Sequence, residues 1–228
     1  MAKGKIIAIE GIDGCGKTTQ IEKIKEYFDE HNVEYRFIKF PIYENDTATP
    51  IKEYLHGDLS ANPYQVSAFF AIDRLYSFLS DWKKDYNDGK VILLDRYVYS
   101  NLIFQYTKVL MTNSYQSADH FYNWLMDYEY NILGLPKPDL NIFLDIDPNV
   151  SQKLMSKRYE GDESKKDINE KDIEFQCKCR DVALNFSTVL NWDVIPVSEN
   201  GVMKSIDNIS SEIIGKIEGV INDKKRML

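Results

Sequence analysis

The chain has 228 residues, of which 43% are hydrophobic and 28% charged, and it carries a formal net charge of −8 at pH 7. This composition is typical of a globular chain and excludes a disordered or collagen-like one. The acidic balance argues against a protein held on polymeric nucleic acid or anionic lipid by bulk charge, so any anionic ligand must be bound locally. We expect one domain over 1–228, enlarged by insertions.

Five short apolar runs alternate with longer segments of helical period, and such runs are typical of strands. They are KIIAIE (5–10), EYRFIKF (34–40), KVILLD (90–95), DLNIFLDI (139–146) and WDVIPV (192–197). The helical segments are 18–31, 62–87, 97–133, 150–190 and 202–221. This alternation of strands and helices predicts an α/β fold, with a doubly wound parallel sheet of five strands and helices on both faces. In such a fold, ligands bind at the carboxyl ends of the strands.

The first strand leads into GIDGCGKT (11–18), which fits the phosphate-loop pattern G-x-x-x-x-G-K-[ST] and precedes an amphipathic helix. The glycines let successive N–H groups converge on one anion, Lys17 reaches the outer phosphates, and Thr18 offers a ligand for Mg²⁺. Cys15 is interpreted as filler rather than as a reactive thiol, because the loop binds mainly through its backbone. The predicted ATP-binding residues here are Gly11, Ile12, Asp13, Gly14, Cys15, Gly16, Lys17, Thr18 and Thr19.

A phosphate loop identifies the donor and not the reaction. The chain has neither an N-K-x-D guanine-reading motif nor an L-S-G-G-Q element, and it is too short for a motor. Motors, GTPases, transporters and kinases share the phosphate loop, and the absence of the features of the other classes favours a small-molecule kinase.

Arginine is scarce, with six residues against 22 lysines, which raises the chance that an internal arginine has a geometric role. Arg96 follows Asp95 at the carboxyl end of a predicted central strand, where Asp95 could hold Mg²⁺ or the acceptor and Arg96 the transferring phosphoryl group. A salt bridge at the strand end is the alternative. Arg74 lies four residues after Phe70, so a flat base could bind between them, although a core phenylalanine beside a solvated arginine is the commoner arrangement.

The run RYEGDESKKDINEKD (158–172) is too polar to pack and predicts a mobile loop. It contains Arg158, Lys165 and Lys166, which could bind phosphate or form a solvated face. The three cysteines, Cys15, Cys177 and Cys179, make a poor disulfide framework and predict a reduced, cytoplasmic setting. No apolar run approaches the roughly 18 to 20 residues of a membrane span, and the short N-terminal run does not fit a signal peptide, so the mature chain is expected to begin near Met1.

Taken together, these residues resemble the thymidylate kinases, and the resemblance runs nearly end to end. The matching motifs are GIDGCGKTTQ (11–20), KFP (39–41), FFAIDR (69–74), DRYVYSNLIFQ (95–105), GLPKPDLNIFLDI (134–146) and a charged lid before a long helix. The resemblance implies a P-loop NTPase-type fold like that of nucleoside monophosphate kinases. It also implies transfer of the γ-phosphoryl group of ATP to dTMP with Mg²⁺, a mobile lid at about 157–171, and a homodimer.

By the same resemblance, Lys17, Asp95, Arg96 and Arg158 would be catalytic, and Thr18 and Asp95 would serve Mg²⁺. Arg158 and Arg180 would close over ATP from the lid and the helix after it. Phe70 would stack on thymine, Arg74 would hydrogen-bond its edge, and Phe104 would crowd the ribose 2′ position. The full implied acceptor set is Asp13, Phe40, Pro41, Phe70, Arg74, Arg96, Asn101, Phe104 and Gln105.

Two departures from the family pattern concern the transition-state cation. Gly14 stands where many members carry an arginine in the phosphate loop, which makes Arg158 the main candidate. The lid pattern D-R-x-E reads Asp-Ile-Asn-Glu at 167–170, which leaves Lys165 or Lys166 as substitutes.

A third departure concerns the acceptor. Ile42 and Tyr43 follow Phe40-Pro41, where the family usually has an arginine that binds the dTMP phosphate. Lys39, Arg96 or the hydroxyl of Tyr43 would then serve. The missing arginine leaves open a deoxynucleoside kinase acting on an uncharged nucleoside, and the altered lid leaves open a non-catalytic ATP-binding module.

Overall fold

The structure, a computed structural model, describes residues 3–112, 115–162 and 167–226. Its strands are β1 (Ile6–Gly11), β2 (Tyr35–Lys39), β3 (Val91–Asp95), β4 (Leu140–Asp145), β5 (Asp193–Pro196), β6 (Ser198–Glu199) and β7 (Val202–Met203). Its α-helices are α1 (Lys17–Glu30), α2 (Thr49–His56), α3 (Pro63–Ser77), α4 (Lys83–Asn87), α5 (Val98–Thr112), α6 (Tyr115–Met126), α7 (Pro148–Arg158), α8 (Ile173–Leu190) and α9 (Ile206–Arg226). A 3-10 turn (Asp46–Ala48) precedes α2, and π-helical turns (Phe78–Trp82 and Asp127–Ile132) follow α3 and α6.

Five parallel strands form the main sheet in the order β2-β3-β1-β4-β5, which confirms the predicted sheet. Every residue of β1 and of β3 is buried, as expected for central strands covered on both faces. The register pairs Asp95 with both Ile9 and Lys39. The carboxyl ends of β1, β2 and β3 therefore meet at one edge of the sheet, where ligands bind in folds of this kind.

Local sequence signals account for the buried face of α1 and for the start of α3. In α1, Ile21, Ile24 and Phe28 recur at helical spacing and are buried against the sheet. Helix α3 begins with a reciprocal capping box, in which Asn62 and Gln65 each accept a hydrogen bond from the other's backbone N–H. No helix in the described part of the chain is both long and apolar enough to cross a bilayer.

Two helical predictions differ from the structure in extent. The segment predicted at 97–133 is divided into α5 and α6. The segment predicted at 202–221 is wrong at its start, because 202–203 pairs with 198–199 as the short antiparallel hairpin β6–β7. The turn of that hairpin is Asn200-Gly201, both with positive φ, and Asn-Gly is a strong signal for a two-residue hairpin turn.

Sequence reasoning missed α2 altogether. This helix is short, but it has the expected signals at its ends: Pro50 in its first turn and Gly57, with φ of 91°, immediately after it. Ile51 and Tyr54 anchor it in the interior. Its position matters because α2 lies beside the site described next.

Candidate active site

The phosphate loop connects the buried end of β1 to the first turn of α1, as predicted. Gly14 and Gly16 have φ of 71° and 87°, in the left-handed region that favours glycine. A Cβ at Gly14 would also lie 2.7 Å from the hydroxyl of Ser151. Lys17 donates from Nζ to the carbonyl oxygens of Gly11 (3.2 Å) and Ile12 (3.5 Å), so its ammonium lies under the loop. The loop has the form that binds phosphate through backbone N–H groups.

Arg96 follows β3 and reaches across to the phosphate loop. Its guanidinium donates to the carbonyl oxygen of Gly11 (3.0 Å) and to the carboxylate of Asp13 (2.6 Å), and it lies 5.1 Å from the ring centre of Phe104. Burial alone would lower the pKa of Arg96, but the carboxylates of Asp13, Asp95 and Glu10 raise it. Its backbone has φ of 67°, which is strained for a residue other than glycine. The fold thus holds a permanent cation in one orientation at the loop.

Glu10 was missed by sequence reasoning, although a carboxylate inside an apolar strand is itself a signal. It is fully buried in β1 and accepts hydrogen bonds from the backbone N–H of Tyr97 (2.8 Å) and the hydroxyl of Ser100 (2.5 Å). Burial raises the pKa of Glu10, against these two hydrogen bonds and the charge of Arg96. Glu10 therefore holds the turn that presents Arg96.

A cavity of about 910 Å³ opens over the phosphate loop. It is lined by the loop, the ends of β2 and β3, helix α2 and the segment between α7 and α8. Of the predicted residues, it brings together Asp13, Gly14, Cys15, Gly16, Lys17, Thr18, Phe40, Pro41, Asp95, Arg96 and Arg158. Sequence reasoning did not anticipate Lys52, Leu55 and His56 of α2, which line it too.

A smaller cavity of about 130 Å³ adjoins the first. Its lining contains the predicted acceptor residues Phe70, Arg74, Asn101, Phe104 and Gln105. The two cavities share Asp13, Phe40, Pro41, Tyr43, Leu55, Arg96 and Asp167, which we call the junction.

Arg74 in the smaller cavity is buried and bound to Glu129, a partner that sequence reasoning missed. Its Nε and Nη2 donate to the two carboxylate oxygens of Glu129 at 2.8 and 2.6 Å. Asn101 donates to the same carboxylate at 3.1 Å. The Oε1 atom of Gln105 is buried with no hydrogen-bond partner among the described residues. The cavity thus offers aromatic walls with polar groups held in fixed positions, as a planar heterocycle requires.

Asp73 fixes the chain after β2 at the junction. Its buried carboxylate accepts from the backbone N–H of Ile42 (2.9 Å) and the hydroxyl of Thr47 (2.7 Å). Tyr43, between them, therefore faces both cavities. Burial and the charge of Asp167 raise the pKa of Tyr43, so its hydroxyl stays a donor at neutral pH.

The charged segment after α7 returns to α2 before α8 begins. Ile168 donates its backbone N–H to the carbonyl oxygen of Leu55 (3.4 Å), and Lys108 donates to the side chain of Asn169 (2.8 Å) and the hydroxyl of Tyr54 (2.5 Å). Arg158 is exposed at the end of α7 and faces the larger cavity. The other predicted lid cations, Lys165 and Lys166, lie outside the described residues.

Burial of Lys108 leads to a pH-dependent prediction. Desolvation lowers the pKa of Lys108 from 10.5 to about 8, against the charge of Asp167. Between these pH values the unfolded chain keeps a proton that the folded chain has lost, so raising the pH favours folding. We expect the free energy of unfolding of the wild type, minus that of Lys108→Met, to rise by up to about 1.4 kcal/mol per pH unit in this window.

Urea unfolding of both proteins at pH 7.5, 8.5 and 9.5 measures this difference. The pKa values of Tyr54 and Cys179 are raised by burial, so neither neighbour begins to titrate early in the window. Parallel stability profiles for the two proteins would contradict the prediction.

Four predicted residues line neither cavity. Gly11 and Ile12 are buried at the base of the loop, and Thr19 is exposed on α1. Arg180 forms a bidentate ion pair with Asp145 at 2.5 and 2.9 Å, where β4 ends.

The chain matches known proteins of one kind over most of its length. The family model described as thymidylate kinase matches residues 9–209. A thymidylate kinase of Mycobacterium tuberculosis is 32% identical over 178 residues, covering 75% of this chain and 80% of that protein. A probable thymidylate kinase of Methanococcus maripaludis is 30% identical over 224 residues, covering 96% and 98%. The solved structure of thymidylate kinase from Candida albicans superposes with a TM-score of 0.74 at 25% identity, covering 97% and 94%.

Proposed function

The chain belongs to the thymidylate kinase family, whose members transfer the γ-phosphoryl group of ATP to dTMP to give dTDP, and we propose that it does so at the junction of its two cavities. The observation that supports this placement is Arg96, which lies between the phosphate loop and the cavity with aromatic walls. ATP phosphates would occupy the larger cavity over Gly11–Thr18. The thymine of dTMP would occupy the smaller one, stacked on Phe70 and bordered by Arg74.

The reaction needs positioning and charge stabilisation more than covalent chemistry. Lys17 would hold the outer phosphates of ATP. Arg96 would span donor and acceptor phosphates, with Asp13 fixing its orientation. Arg158 would add positive charge from the lid. Phe104, stacked beside Arg96, would close the space around the ribose 2′ carbon and so favour deoxyribose.

The donor oxygens in the larger cavity fit Mg²⁺. Asp95 is 4% exposed, and its Oδ1 atom has no hydrogen-bond partner among the described residues. Thr18 lines the same cavity and carries a hydroxyl group that can bind the ion. No group of three His, Cys, Asp or Glu side chains in the described ranges could bind a metal alone, which fits an ion carried largely by ATP phosphates. Thr18 and Asp95 would hold Mg²⁺, which neutralises phosphate charge when bound.

The test of the function is ADP release from magnesium-ATP with dTMP, dUMP, thymidine or no acceptor, run side by side. We expect strong dependence on dTMP. Release only with thymidine would indicate a deoxynucleoside kinase, and ATP binding without any acceptor-dependent release would indicate a non-catalytic module.

We also propose that the segment at about 157–171 is a mobile lid within a single kinase domain. The contacts of Ile168 and Asn169 with α2 support closure against the acceptor side, where the lid would exclude water that could hydrolyse ATP. We expect the amides of 167–171 to exchange at least about tenfold more slowly when dTMP and a non-hydrolysable ATP analogue are bound. Hydrogen-exchange mass spectrometry measures this, and equal rates with and without nucleotides would contradict it.

A homodimer in a reducing, cytoplasmic setting completes the proposal. Ile72, Tyr76 and Leu79 recur at helical spacing along α3 and its π-helical continuation, and they are 43%, 52% and 58% exposed. Such an apolar stripe is suited to contact with a second copy of the chain. Sedimentation as a monomer at micromolar concentration would contradict the dimer.

All three cysteines are free, which agrees with a reducing compartment.

A further inference from the structure

The junction has too little positive charge for a nucleotide phosphate. A nucleoside monophosphate whose base fills the smaller cavity would place its 5′-phosphate there, one sugar away from the base. Among the described residues lining both cavities, Arg96 is the one cation, and it faces the carboxylates of Asp13 and Asp167. Both carboxylates line the two cavities, and burial together with the charge of Asp13 raises the pKa of Asp167. A dianion therefore needs a second cation nearby.

The other cations that line the larger cavity differ in whether they already form hydrogen bonds or ion pairs within the protein. Lys17 lies under the phosphate loop, bonded to its carbonyl oxygens. Lys39 lies 3.9 Å from Asp95, with 58% of its side chain exposed. Arg158 and Lys171 are exposed on the lid. Lys52 is half-buried, and it has no hydrogen bond or ion pair with any residue of the described ranges.

Helix α2 places Lys52 in the larger cavity, one helical turn before the junction residue Leu55. Leu55 and His56 follow Lys52 by three and four residues, so all three share a helix face, and all three line the larger cavity. Leu55 also lines the smaller cavity. Ile51 and Tyr54, on the adjoining face, are buried and fix the helix. A flexible lysine held this way can place its ammonium at the junction.

We propose that Lys52 binds the 5′-phosphate of the acceptor nucleotide, with the hydroxyl of Tyr43 as a second donor. This inference rests on the proposed function, because it assumes that the acceptor's base occupies the smaller cavity. Lys52 selects for a phosphorylated acceptor through charge, and it contacts neither the base nor ATP. A nucleoside without the phosphate gains nothing from it.

The test is calorimetric binding of dTMP and of thymidine to the wild type and to Lys52→Met. Losing a charge-assisted hydrogen bond should raise the Kd of dTMP about 10- to 100-fold, while the Kd of thymidine changes less than about twofold. Lys52→Arg should recover most of the dTMP affinity. Lys216→Met is the matched control and should behave like the wild type, because Lys216 of α9 pairs with Asp193 of β5 and lines neither cavity.

Kinetics add a second readout, in which the KM of dTMP should rise with Lys52→Met while the KM of ATP does not. Equal losses for dTMP and thymidine, or a loss confined to ATP, would overturn the proposal. It would also be overturned if Lys39→Met reproduced the dTMP loss and Lys52→Met did not. The binding measurement does not depend on turnover. If the wild type bound dTMP but released no ADP, the proposed function would be refuted, and the binding data would still test the role of Lys52.

Discussion

Replacing Lys17 with alanine is expected to lower kcat by at least about a thousandfold while the chain keeps its fold. The ammonium lies within 3.5 Å of the carbonyl oxygens of Gly11 and Ile12, beneath the surface on which ATP phosphates would lie. Alanine removes the positive charge that offsets negative charge on the transferring phosphoryl group. ADP release with dTMP measures the loss.

Lys23→Ala is the matched control for Lys17→Ala, since it makes the same change on the same helix. Lys23 is partly exposed and pairs with Glu26 on the surface, so its removal should leave kcat unchanged. Circular dichroism and thermal unfolding of both variants separate lost chemistry from lost structure. If a folded Lys17→Ala protein retained turnover, the assignment of the phosphate loop to catalysis would be wrong.

The second large effect is expected from Arg96→Lys, which keeps the charge and removes the planar fork. Arg96 bonds Gly11 and Asp13 with two different nitrogens, and a lysine ammonium cannot hold both contacts from a four-carbon chain in the same orientation. We expect kcat to fall about a hundredfold and the KM of ATP to change little, because the lost contacts matter most as phosphoryl charge develops.

Arg36→Lys serves as the control for Arg96→Lys. Arg36 also binds a carboxylate, with its Nη2 atom donating to both oxygens of Asp81 (2.7 and 2.9 Å), but it does so at an exposed position on the sheet edge strand β2. Its replacement should leave turnover unchanged. A similar kcat for Arg96→Lys and the wild type would show that charge alone suffices at this position.

Elements encoded in consecutive residues could be predicted. The five strands of the sheet were found from apolar runs, and the phosphate loop from Gly11–Thr18 between a strand and a helix. Asp95 and Arg96 could be assigned to the ligand edge because parallel strands present their carboxyl ends together. The hairpin at 198–203 was missed, although its Asn-Gly turn is equally local.

Contacts between residues far apart in sequence could not be predicted. The Arg74 side chain, expected near a bound base, is also held by Glu129, 55 positions away, and the Arg96 turn is held by Glu10 through Ser100, 90 positions away. In neither pair does the sequence separation of the two residues identify them as partners. Only folding decides which buried charges meet, because each must find a partner among the elements packed against it.

The sequence by itself determined the sheet, the phosphate loop and the family, because hydrophobic period and contiguous motifs act over a few residues and need no partner. The tertiary structure alone decided that α2 and its Lys52 border the larger cavity, that Lys108 joins α2 to the segment before α8, and that two cavities meet at Arg96. These arrangements depend on how separate helices pack on the sheet, and a half-buried lysine has the same local sequence signature as a solvated one.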